Sequence, residues 1–376
     1  MRIGFDISAQ SLPRSGIGQY QIHLLEALLR LDHENEYLLY AFNFRNRERF
    51  SDIHFPSDNY KLNVIPIPQR LITLWWMMFN RPGLERVAGE CDLYQVSEIC
   101  IQPTRKARTV AMVHDLTTLL FPQYHVKSNA FVHNQRFKRL DQADGILTNS
   151  EATKRDILSH LDIRPEKVFV TPLGADERFK PLDPMATHPI LQKYQLHKPY
   201  ILFVGTLEPR KNVETLVRAF NQLKQSHSAP HELVLAGRKG WLYESILQAI
   251  TVSPFKSDIR LLDYVEDSEV PALMSGADVF AYPSFYEGFG LPVLEAMQCG
   301  APVVTSSVSS LPEVGGDACL YVHPESADEL AETLYKVIRD KSLQQILSEK
   351  GIKRAKQFSW EQCAEETLRA YRQVMG

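Results

Sequence analysis

The sequence of 376 residues has few of the features that mark membrane-spanning, disulfide-bonded or metal-binding proteins. Its five cysteines are odd in number and include no C-x-x-C pair, which argues against a disulfide framework and against a zinc site. No two aspartates stand two positions apart, so an Asp-x-Asp pair for Mg²⁺ or Mn²⁺ is absent. No apolar run reaches the ~20 residues that cross a bilayer, and the first residues do not read as a signal peptide. We therefore expect a cytoplasmic protein.

The charge and composition are typical of an ordinary globular protein. The formal net charge is −3, and apolar residues make up 44% and charged residues 23% of the chain. This balance gives no reason to expect a nucleic-acid partner. A chain of this length exceeds what one hydrophobic core usually supports, so we expect two domains.

Short apolar runs alternate with helical patterns, which indicates an α/β protein with parallel sheets. The pattern lapses between Pro172 and Pro199, where five prolines fall, and we interpret this stretch as an interdomain linker. The predicted domains are 1–182 and 183–358, followed by a last helix within 359–376. Strands are predicted at 2–5, 37–42, 61–65, 93–95, 109–113, 145–147, 168–171, 200–204, 232–236, 258–261, 278–281 and 303–305. Helices are predicted at 17–31, 128–140, 150–160, 213–225, 241–250, 267–275, 292–299, 327–340 and 362–374.

The segment Glu287–Glu295 carries two glutamates separated by a Gly-Phe-Gly turn and the start of a predicted helix. A turn at a helix N-terminus leaves backbone N–H groups that bind anions and hydroxyls. The arrangement suits a sugar joined to a phosphate, with one carboxylate for the sugar hydroxyls and the other for a ribose diol.

The segment Gly205–Asn212 follows a predicted strand and carries two adjacent cations, Arg210 and Lys211. Gly205 permits a close backbone approach, and the dipole of the following helix adds to the charge of the two side chains. Arg can hold a phosphate with two parallel hydrogen bonds. The pair is therefore a candidate diphosphate site, although an Arg-Lys pair on a loop is solvated about as often as it is functional.

Two weaker signals lie in the first half of the chain. Gly16 and Gly18 stand between the first predicted strand and helix, where a Gly-x-Gly pattern indicates a phosphate loop or a plain turn. His114 follows the predicted strand at 109–113, at the end where α/β sheets bind ligands. A lone histidine is more often structural, and no serine nucleophile accompanies this one, so we do not assign it as a general base.

The segment Glu287–Glu295 resembles the E-x7-E motif of retaining glycosyltransferases of the GT-B fold, in the large group that includes the bacterial family 4 enzymes. Gly205–Asn212 resembles the G-x5-K-N segment of the same family. The resemblance covers nearly the whole chain. It implies an α/β, GT-B fold in which two Rossmann-like domains with parallel sheets face each other across a cleft. It also implies that a sugar moves from a nucleotide diphosphate to an acceptor hydroxyl with no metal cofactor.

The resemblance implies a role for each motif residue. Glu295 would bind the ribose hydroxyls and Glu287 the donor sugar, beside the backbone N–H groups of Phe289, Gly290 and Leu291. Arg210 and Lys211 would stabilise the leaving phosphate, Gly16 and Gly18 would approach the donor phosphate, and His114 would contact the transferred sugar. Further donor contacts are expected at Gly205, Thr206 and Val265. Asp263, two positions before Val265, stands where relatives have a glycine.

The family also suggests partners and location. The first domain would bind the acceptor, the second the nucleotide sugar, and 359–376 would return to the first domain, as a Phe-Ser-Trp motif does in relatives. The expected donor is GDP-mannose, by similarity to bacterial mannosyltransferases of polysaccharide biosynthesis, and the expected acceptor is a glycan or a lipid-linked molecule. The apolar stretch Leu71–Phe79, flanked by Arg, predicts either a buried helix or a peripheral contact with the inner face of the cell membrane.

Two other functions are compatible with this sequence. A sugar-nucleotide 2-epimerase of the GT-B fold would bind the same donor and use its carboxylates for proton transfer. A non-catalytic nucleotide-sugar-binding subunit would keep the fold, although a degenerate copy would be expected to lose some of the four charged motif residues. Product analysis with donor alone separates the epimerase from the transferase.

Overall fold

The computed structural model describes residues 1–11, 16–44, 50, 53–96, 102–127, 133–135 and 137–376. The chain divides into two compact units, each of which contains one parallel β-sheet. The first unit comprises Met1–Leu116, Phe131–Gly174 and Ser359–Gly376, and the second comprises Thr117–Ala130 and Ala175–Phe358.

Thirteen strands lie in the described part of the chain. They are β1 (Arg2–Asp6), β2 (Glu36–Phe42), β3 (Tyr60–Ile65), β4 (Leu93–Val96), β5 (Arg108–Val113), β6 (Gly145–Thr148), β7 (Val168–Val170), β8 (Tyr200–Val204), β9 (Glu232–Ala236), β10 (Ile259–Asp263), β11 (Val279–Tyr282), β12 (Val303–Ser306) and β13 (Cys319–Val322). Most of their residues are buried, as expected for parallel strands that helices cover on both faces.

The α-helices with defined bounds surround these sheets. They are α1 (Gly16–Leu31), α2 (Gln69–Phe79), α3 (Leu84–Ala88), α4 (Thr117–Leu120), α5 (Glu151–His160), α6 (Pro184–Lys193), α7 (Val213–His227), α8 (Glu244–Thr251), α9 (Val270–Ser275), α10 (Leu291–Gln298), α11 (Leu311–Gly315), α12 (Ala327–Arg339), α13 (Lys341–Ala355) and α14 (Trp360–Met375). In the described part of the chain, no helix is both long and apolar enough to cross a membrane.

Both sheets reverse their strand order near the middle. The first sheet has the order β3-β2-β1-β4-β5-β6-β7, so the reversal lies between β1 and β4. The second has the order β10-β9-β8-β11-β12-β13, with the reversal between β8 and β11. Open α/β sheets bind ligands outside the carboxyl ends of the strands at such a reversal. In the second unit, the segment Gly205–Asn212 follows β8 and the segment Glu287–Glu295 follows β11.

The predicted α/β class with two parallel sheets is confirmed. Each of the twelve predicted strands exists, with ends that differ by at most two residues from those predicted. The prediction missed β13, a four-residue strand, and also α13, whose buried residues are Gln344, Leu347, Gly351 and Ala355 and therefore form only a weak apolar stripe. The predicted helix at 128–140 lies largely outside the described residues.

The stretch interpreted as a linker contains a helix, because residues 184–193 form α6. Asp183 caps this helix by accepting a hydrogen bond from the Ala186 N–H at 2.9 Å, and Pro184 occupies the first turn, where its missing N–H does no harm. The contacts also end the first unit at Gly174, eight residues before the predicted boundary at 182.

A segment from the first half of the chain belongs to the second unit. Within Thr117–Ala130, the Tyr124 ring stacks on Phe285 at 5.2 Å, and the Trp241 indole N–H donates to the Tyr124 carbonyl at 2.6 Å. Phe121 packs near the Tyr286 ring at 5.5 Å. Aromatic contacts with residues far along the chain therefore hold this segment, and no local pattern predicts them.

Candidate active site

A one-turn 3₁₀ helix, Pro209–Lys211, presents Arg210 and Lys211 after β8. It ends at Asn212, whose φ of 58° is left-handed, and α7 begins at the next residue. The Asn212 side-chain amide donates to the Pro283 carbonyl at 2.9 Å and to the Pro324 carbonyl at 2.6 Å. These bonds tie the cationic turn to the loops that follow β11 and β13.

The loop after β11 is held by a matching set of bonds. The Phe285 N–H donates to the Arg210 carbonyl at 2.9 Å. The Glu287 N–H donates to Ser309 Oγ at 2.9 Å, and the Ser310 hydroxyl lies within hydrogen-bonding distance of the Glu287 and Phe289 carbonyls. The backbone around Glu287 is therefore constrained from both sides.

Gly290 makes the turn into α10. Its φ is 102°, and a Cβ at this position would lie 2.8 Å from Leu311 Cδ2. Leu291 is the first helical residue, and Phe289 is buried with its ring 5.7 Å from that of Phe358. A glycine is thus required here by both backbone conformation and space, and the residues expected to offer N–H groups lie where a turn meets a helix.

Glu287 joins the two cations in one buried cluster. Its Oε2 accepts from Arg210 Nη1 at 2.8 Å, and its Oε1 accepts from Lys211 Nζ at 2.7 Å. Lys211 Nζ also donates to the Tyr282 hydroxyl at 2.5 Å. The Arg210 and Lys211 side chains are only 12% and 11% exposed. Glu208 completes the cluster through a bond of 2.7 Å from Arg210 Nη2 to its Oε1.

The pKa values follow from this arrangement. Burial alone would raise the pKa of Glu287, but the charges of Arg210 and Lys211 outweigh burial and lower this pKa to about 2. Burial and the like charge of Arg210 lower the pKa of Lys211. Glu287 is therefore ionised at neutral pH, where it can accept hydrogen bonds but cannot serve as a proton donor.

Glu295 lies on α10 in a different environment. No hydrogen bond reaches its carboxylate from the described part of the chain, and its charged neighbours are Arg178, Asp176 and Asp267. Burial raises the pKa of Glu295 to about 7, against the opposing effect of Arg178. The structure therefore places the two glutamates of the motif in separate surroundings, one ion-paired and one available for hydroxyl groups.

The loops after β8, β9 and β10 contact one another through their backbones. The Gly205 N–H donates to the Ala236 carbonyl at 2.9 Å, and the Gly237 N–H donates to the Asp263 carbonyl at 2.7 Å. A Cβ on Gly237 would lie 1.9 Å from the Gly205 carbonyl oxygen, so the close approach expected of Gly205 depends on Gly237 as well. Asp263 has a φ of 51°, a left-handed conformation that Asp tolerates better than most residues.

The remaining expected donor contacts of the second unit lie near these loops. The Thr206 side chain is exposed and Val265 is buried. In the same set of loops, which follow β9 and β10, the Arg238 guanidinium lies 4.1 Å from the Tyr264 ring centroid, as in a cation–π pair.

Gly16, Gly18 and His114 belong to the first unit. Gly16 is the first residue of α1, a Cβ there would meet no atom within 4 Å, and the Gly18 carbonyl accepts from Gln10 Nε2 at 2.6 Å. These glycines therefore lie in the first turn of the helix, and residues 12–15 of the expected glycine loop lie outside the described residues.

His114 follows β5 at the carboxyl end of the first sheet. Its ring meets the Tyr20 ring edge-on at 4.8 Å, and its Nδ1 lies 3.3 Å from Asn149 Nδ2. Burial lowers the pKa of His114 to about 4 despite the nearby Asp115, so the ring is neutral at pH 7. A small cavity of about 10 Å³ lies here, lined by Phe5, Asp6, Ile17, Tyr20, Gln21, Gln95, Val96, Met112 and His114.

The sequence reasoning missed three residues that shape the site of the second unit. Glu208 stands two positions before Arg210 and was the easiest to find, because an acid beside a cation pair indicates an ion pair. Tyr282 ends a predicted strand, and Arg178 falls in the stretch interpreted as a linker. The bond between Lys211 and Tyr282 and the electrostatic effect of Arg178 on Glu295 join residues distant along the chain.

The chain matches two protein-family models, "Glycosyltransferase Family 4" over residues 14–179 and "Glycosyl transferases group 1" over residues 190–354. It is 33% identical over 379 residues to the O-antigen chain mannosyltransferase B of Escherichia coli, which covers 99% of this chain and 100% of that one. It is 30% identical over 240 residues to the MMP alpha-(1->4)-mannosyltransferase of Mycolicibacterium hassiacum, over 62% of this chain and 55% of that protein.

Two solved structures share this fold at a sequence identity lower than that of the two mannosyltransferases. The sucrose-phosphate synthase of Thermosynechococcus elongatus superposes with a TM-score of 0.78 at 19% identity and covers 99% of this chain and 98% of that one. HepE of Anabaena, in complex with UDP-glucose, superposes with a TM-score of 0.73 at 18% identity over 99% of both chains. The full-length match to the E. coli enzyme and the two family models together show that the chain belongs to the family 4, group 1 glycosyltransferases of the GT-B fold.

Proposed function

We propose that this glycosyltransferase moves mannose from GDP-mannose to a hydroxyl of a glycan or lipid-linked acceptor, with retention of the anomeric configuration and without a resident metal. The single observation that carries the proposal is the buried cluster of Arg210, Lys211 and Glu287 at the strand reversal of the second sheet. Two largely buried cations after the carboxyl end of β8, beside the loop that follows β11, suit the diphosphate of a sugar nucleotide.

The charges of the cluster define a role for each residue. Arg210 and Lys211 would stabilise the negative charge that grows on the leaving phosphate, which is usually the largest single contribution to catalysis. Glu287, ionised because of its two ion pairs, would accept hydrogen bonds from hydroxyls of the donor sugar. The N–H groups at the start of α10 would lie beside it, and Glu295 would accept from the ribose diol. In the first unit, Gly16 and Gly18 would approach the donor phosphate and His114 the transferred sugar.

The relatives support the class of sugar and of donor. The E. coli relative is named an O-antigen chain mannosyltransferase, the mycobacterial relative is also a mannosyltransferase, and HepE was solved with UDP-glucose. A mannosyl donor and a glycan acceptor are the simplest inference for a chain with these relatives. The absence of an Asp-x-Asp pair and the two cations of the cluster are the reasons for proposing that no metal assists.

Thermal melting with GDP, UDP and ADP, each far above a micromolar Kd, tests the donor site. A nucleotide present at ~100 Kd should stabilise the protein by ~2.7 kcal/mol, which raises Tm by a few degrees. We expect a shift with GDP that is lost in Lys211→Ala, whose transfer rate should also fall ~10²–10³-fold. A Tm shift with UDP or ADP alone would mean that the donor carries uridine or adenosine in place of guanosine. No Tm shift with any of the three nucleotides would contradict a nucleotide-sugar site.

The epimerase alternative would need a carboxyl group that carries a proton at neutral pH. Glu287, with a pKa of about 2, is a poor proton carrier, whereas Glu295, with a pKa of about 7, would suit that role, so product analysis decides between the two functions. Incubation with GDP-mannose alone should leave the donor sugar unchanged, and addition of a mannan-type acceptor should release GDP. A product with the opposite configuration at C2 of the sugar, formed without acceptor, would favour the epimerase instead.

We further propose that α2 holds the enzyme on the inner face of the cell membrane. Five large apolar side chains with helical spacing form what we name the exposed face of α2: Leu71, Leu74, Trp75, Met78 and Phe79, which are 50–67% exposed. They are five of the sixteen exposed large apolar residues in the described part of the chain, and they fall within nine positions. The opposite side of the helix, with Ile72, Thr73 and Trp76, is buried.

Charge next to this face favours an anionic bilayer as its occupant. Arg70 and Arg81 are exposed at the two ends of the helix. An aromatic and apolar face bordered by Arg matches the chemistry of a headgroup layer above acyl chains.

Sedimentation with vesicles tests the membrane contact. The wild type should bind vesicles of phosphatidylglycerol and phosphatidylethanolamine but not of phosphatidylcholine alone. The double variant Trp75→Ser, Met78→Ser should bind ~10²–10⁴-fold less tightly, because each side chain contributes roughly 1.5–3 kcal/mol when buried. Met185→Ser, a change at an 88% exposed residue of the second unit, is the matched control. A dimer in light scattering that the double variant abolishes would assign the face to a second copy and contradict the proposal.

A further inference from the structure

Glu208 is a buried carboxylate with an incomplete set of partners. Its side chain is 2% exposed, and its Oε1 accepts from Arg210 Nη2 at 2.7 Å. Its Oε2 is buried with no hydrogen-bond partner in the described part of the chain. An unsatisfied buried carboxylate oxygen destabilises a fold, so such a group calls for an explanation other than stability.

The two carboxylates of the cluster divide the cations unequally. The Glu287 carboxylate bonds to both Arg210 and Lys211, whereas in the described part of the chain the Glu208 carboxylate bonds to Arg210 and not to Lys211. Glu208 and Glu287 together balance the charges of Arg210 and Lys211. A diphosphate would therefore enter a cluster of four charged groups with no net charge, where its affinity is lower than beside two unpaired cations.

The position of Glu208 is set by the same turn that presents the cations. Its carbonyl accepts from the Lys211 N–H at 3.1 Å, so Glu208, Arg210 and Lys211 belong to one short 3₁₀ turn. Arg210 is held from two directions, by Glu208 at Nη2 and by Glu287 and the Tyr286 carbonyl at Nη1. If Glu287 turns towards a donor sugar, Glu208 is the carboxylate that still orients the guanidinium.

We propose that Glu208 is a positioning residue for Arg210 and that its charge limits the affinity of the site for the nucleoside diphosphate product, so that this product can leave. The proposal rests on the proposed function, because it takes the phosphate site at Arg210 and Lys211 as given. The charge of the Glu208 carboxylate sets the affinity for the nucleoside diphosphate, and the length of the Glu208 side chain sets the orientation of the Arg210 guanidinium.

Two variants separate the two effects. Glu208→Gln removes the charge and keeps a hydrogen-bond acceptor of the same length, so calorimetry should show ~10-fold tighter binding of GDP. Glu208→Asp keeps the charge but shortens the side chain, so GDP affinity should stay near that of the wild type while kcat/KM falls ~10-fold or more because Arg210 is no longer oriented. Glu232→Gln is the matched control: Glu232 is 5% exposed, also has a buried Oε2 without a partner, and begins β9 at the opposite end of the sheet.

Tighter binding is the informative readout, because structural damage weakens binding. The proposal is overturned if folded Glu208→Gln binds GDP as weakly as the wild type or more weakly, or if Glu232→Gln tightens binding equally. If Glu208→Gln does not fold, a wild-type kcat/KM in Glu208→Asp overturns it. Titrations with GDP, UDP and ADP in turn distinguish the two proposals: if the wild type binds none of them, the proposed function itself fails, whereas wild-type binding with no effect of Glu208 removes only this inference.

Discussion

Asn212 and Gly290 adopt left-handed backbone conformations at the two loops that carry the ionic cluster. Gly290 meets this requirement with no side chain, and its neighbour Leu311 leaves no room for one. Asn212 meets it with a residue that tolerates the conformation and whose amide also donates two hydrogen bonds. The geometry of Arg210, Lys211 and Glu287 therefore depends on residues that touch no substrate in the proposed mechanism.

Replacement of Asn212 separates its conformational role from its hydrogen bonds. Asn212→Ala should lower the free energy of unfolding by about 2–4 kcal/mol, because it leaves two buried carbonyls unpaired and adds backbone strain. Asn212→Gly relieves the strain and should lose less. Urea denaturation of the three proteins measures both contributions, and equal stability of the Ala and Gly variants would show that backbone strain contributes nothing.

The raised pKa of Glu295 should make the stability of the fold depend on pH. Its folded pKa of about 7 exceeds its ordinary value of 4.5, so the carboxyl favours the folded state below pH 4.5 and this contribution is lost as the pH rises through 7. Glu295→Gln cannot ionise, so its Tm relative to wild type should be higher at pH 8 than at pH 5. The same variant should bind GDP more weakly if Glu295 holds the ribose.

Differential scanning fluorimetry at the two pH values measures this effect. Glu349→Gln, at an exposed position of α13 in the same unit, serves as the control for the loss of a carboxylate. A Tm difference between Glu295→Gln and wild type that is the same at both pH values would contradict the raised pKa.

Helix α2 shows how one element can have two environments. The sequence left a buried helix and a membrane contact as alternatives, and the structure has a helix with one buried side and one exposed face. Its apolar residues occur all around the helix, and such a pattern does not indicate which side a neighbouring element covers. Trp75 is 50% exposed and Trp76 is 1% exposed, although they are adjacent in the sequence.

Substitution of the two tryptophans should therefore change the free energy of unfolding by very different amounts. Trp76→Ala should lower the free energy of unfolding by about 3–5 kcal/mol, because it opens a cavity and removes the indole donor of the Pro82 carbonyl. Trp75→Ala should change stability by less than about 0.5 kcal/mol, as is usual at exposed positions. Chemical denaturation of both variants measures the contrast, and comparable losses would show that α2 is covered on both sides in solution.

The first unit is completed by the end of the chain. Helix α14 packs with α1, β5 and β6, and its Tyr371 is fully buried with its hydroxyl bonded to Gln95. Its approach to the sheet is close, since a Cβ on Gly145 would lie 2.6 Å from Val374 Cγ2. The unit is thus built from segments separated by more than 180 residues, between Gly174 and Ser359.

Truncation after Phe358 should destabilise the first unit selectively. Amide hydrogen exchange should accelerate in α1, β5 and β6, because the face that α14 covers becomes exposed to water, while β8, β11 and β12 keep their protection. Glu365→Ala, an exposed change on α14, is the control. Equal loss of protection in both sheets would show that the two units unfold together.

The local sequence pattern determined the class of fold and the positions of the twelve predicted strands, because apolar periodicity and glycine or proline turns act within a few residues. It also singled out Arg210, Lys211 and Glu287, because charged side chains directly after buried strands have few structural reasons to be there. The roles proposed for them, and for Gly16, Gly18, His114 and Glu295, stay predictions until the nucleotide and rate measurements are made.

The tertiary structure alone decided three things: the pairing of Arg210 and Lys211 with Glu287, the placement of Thr117–Ala130 in the second unit, and which side of α2 is covered. It also separated Glu287, held by two cations, from Glu295, whose charged neighbours are Arg178, Asp176 and Asp267. Each of these depends on contacts between residues distant along the chain. Burial and charge, which set the pKa values of the two glutamates, are properties of the packed molecule, so no spacing of residues along the chain could predict them.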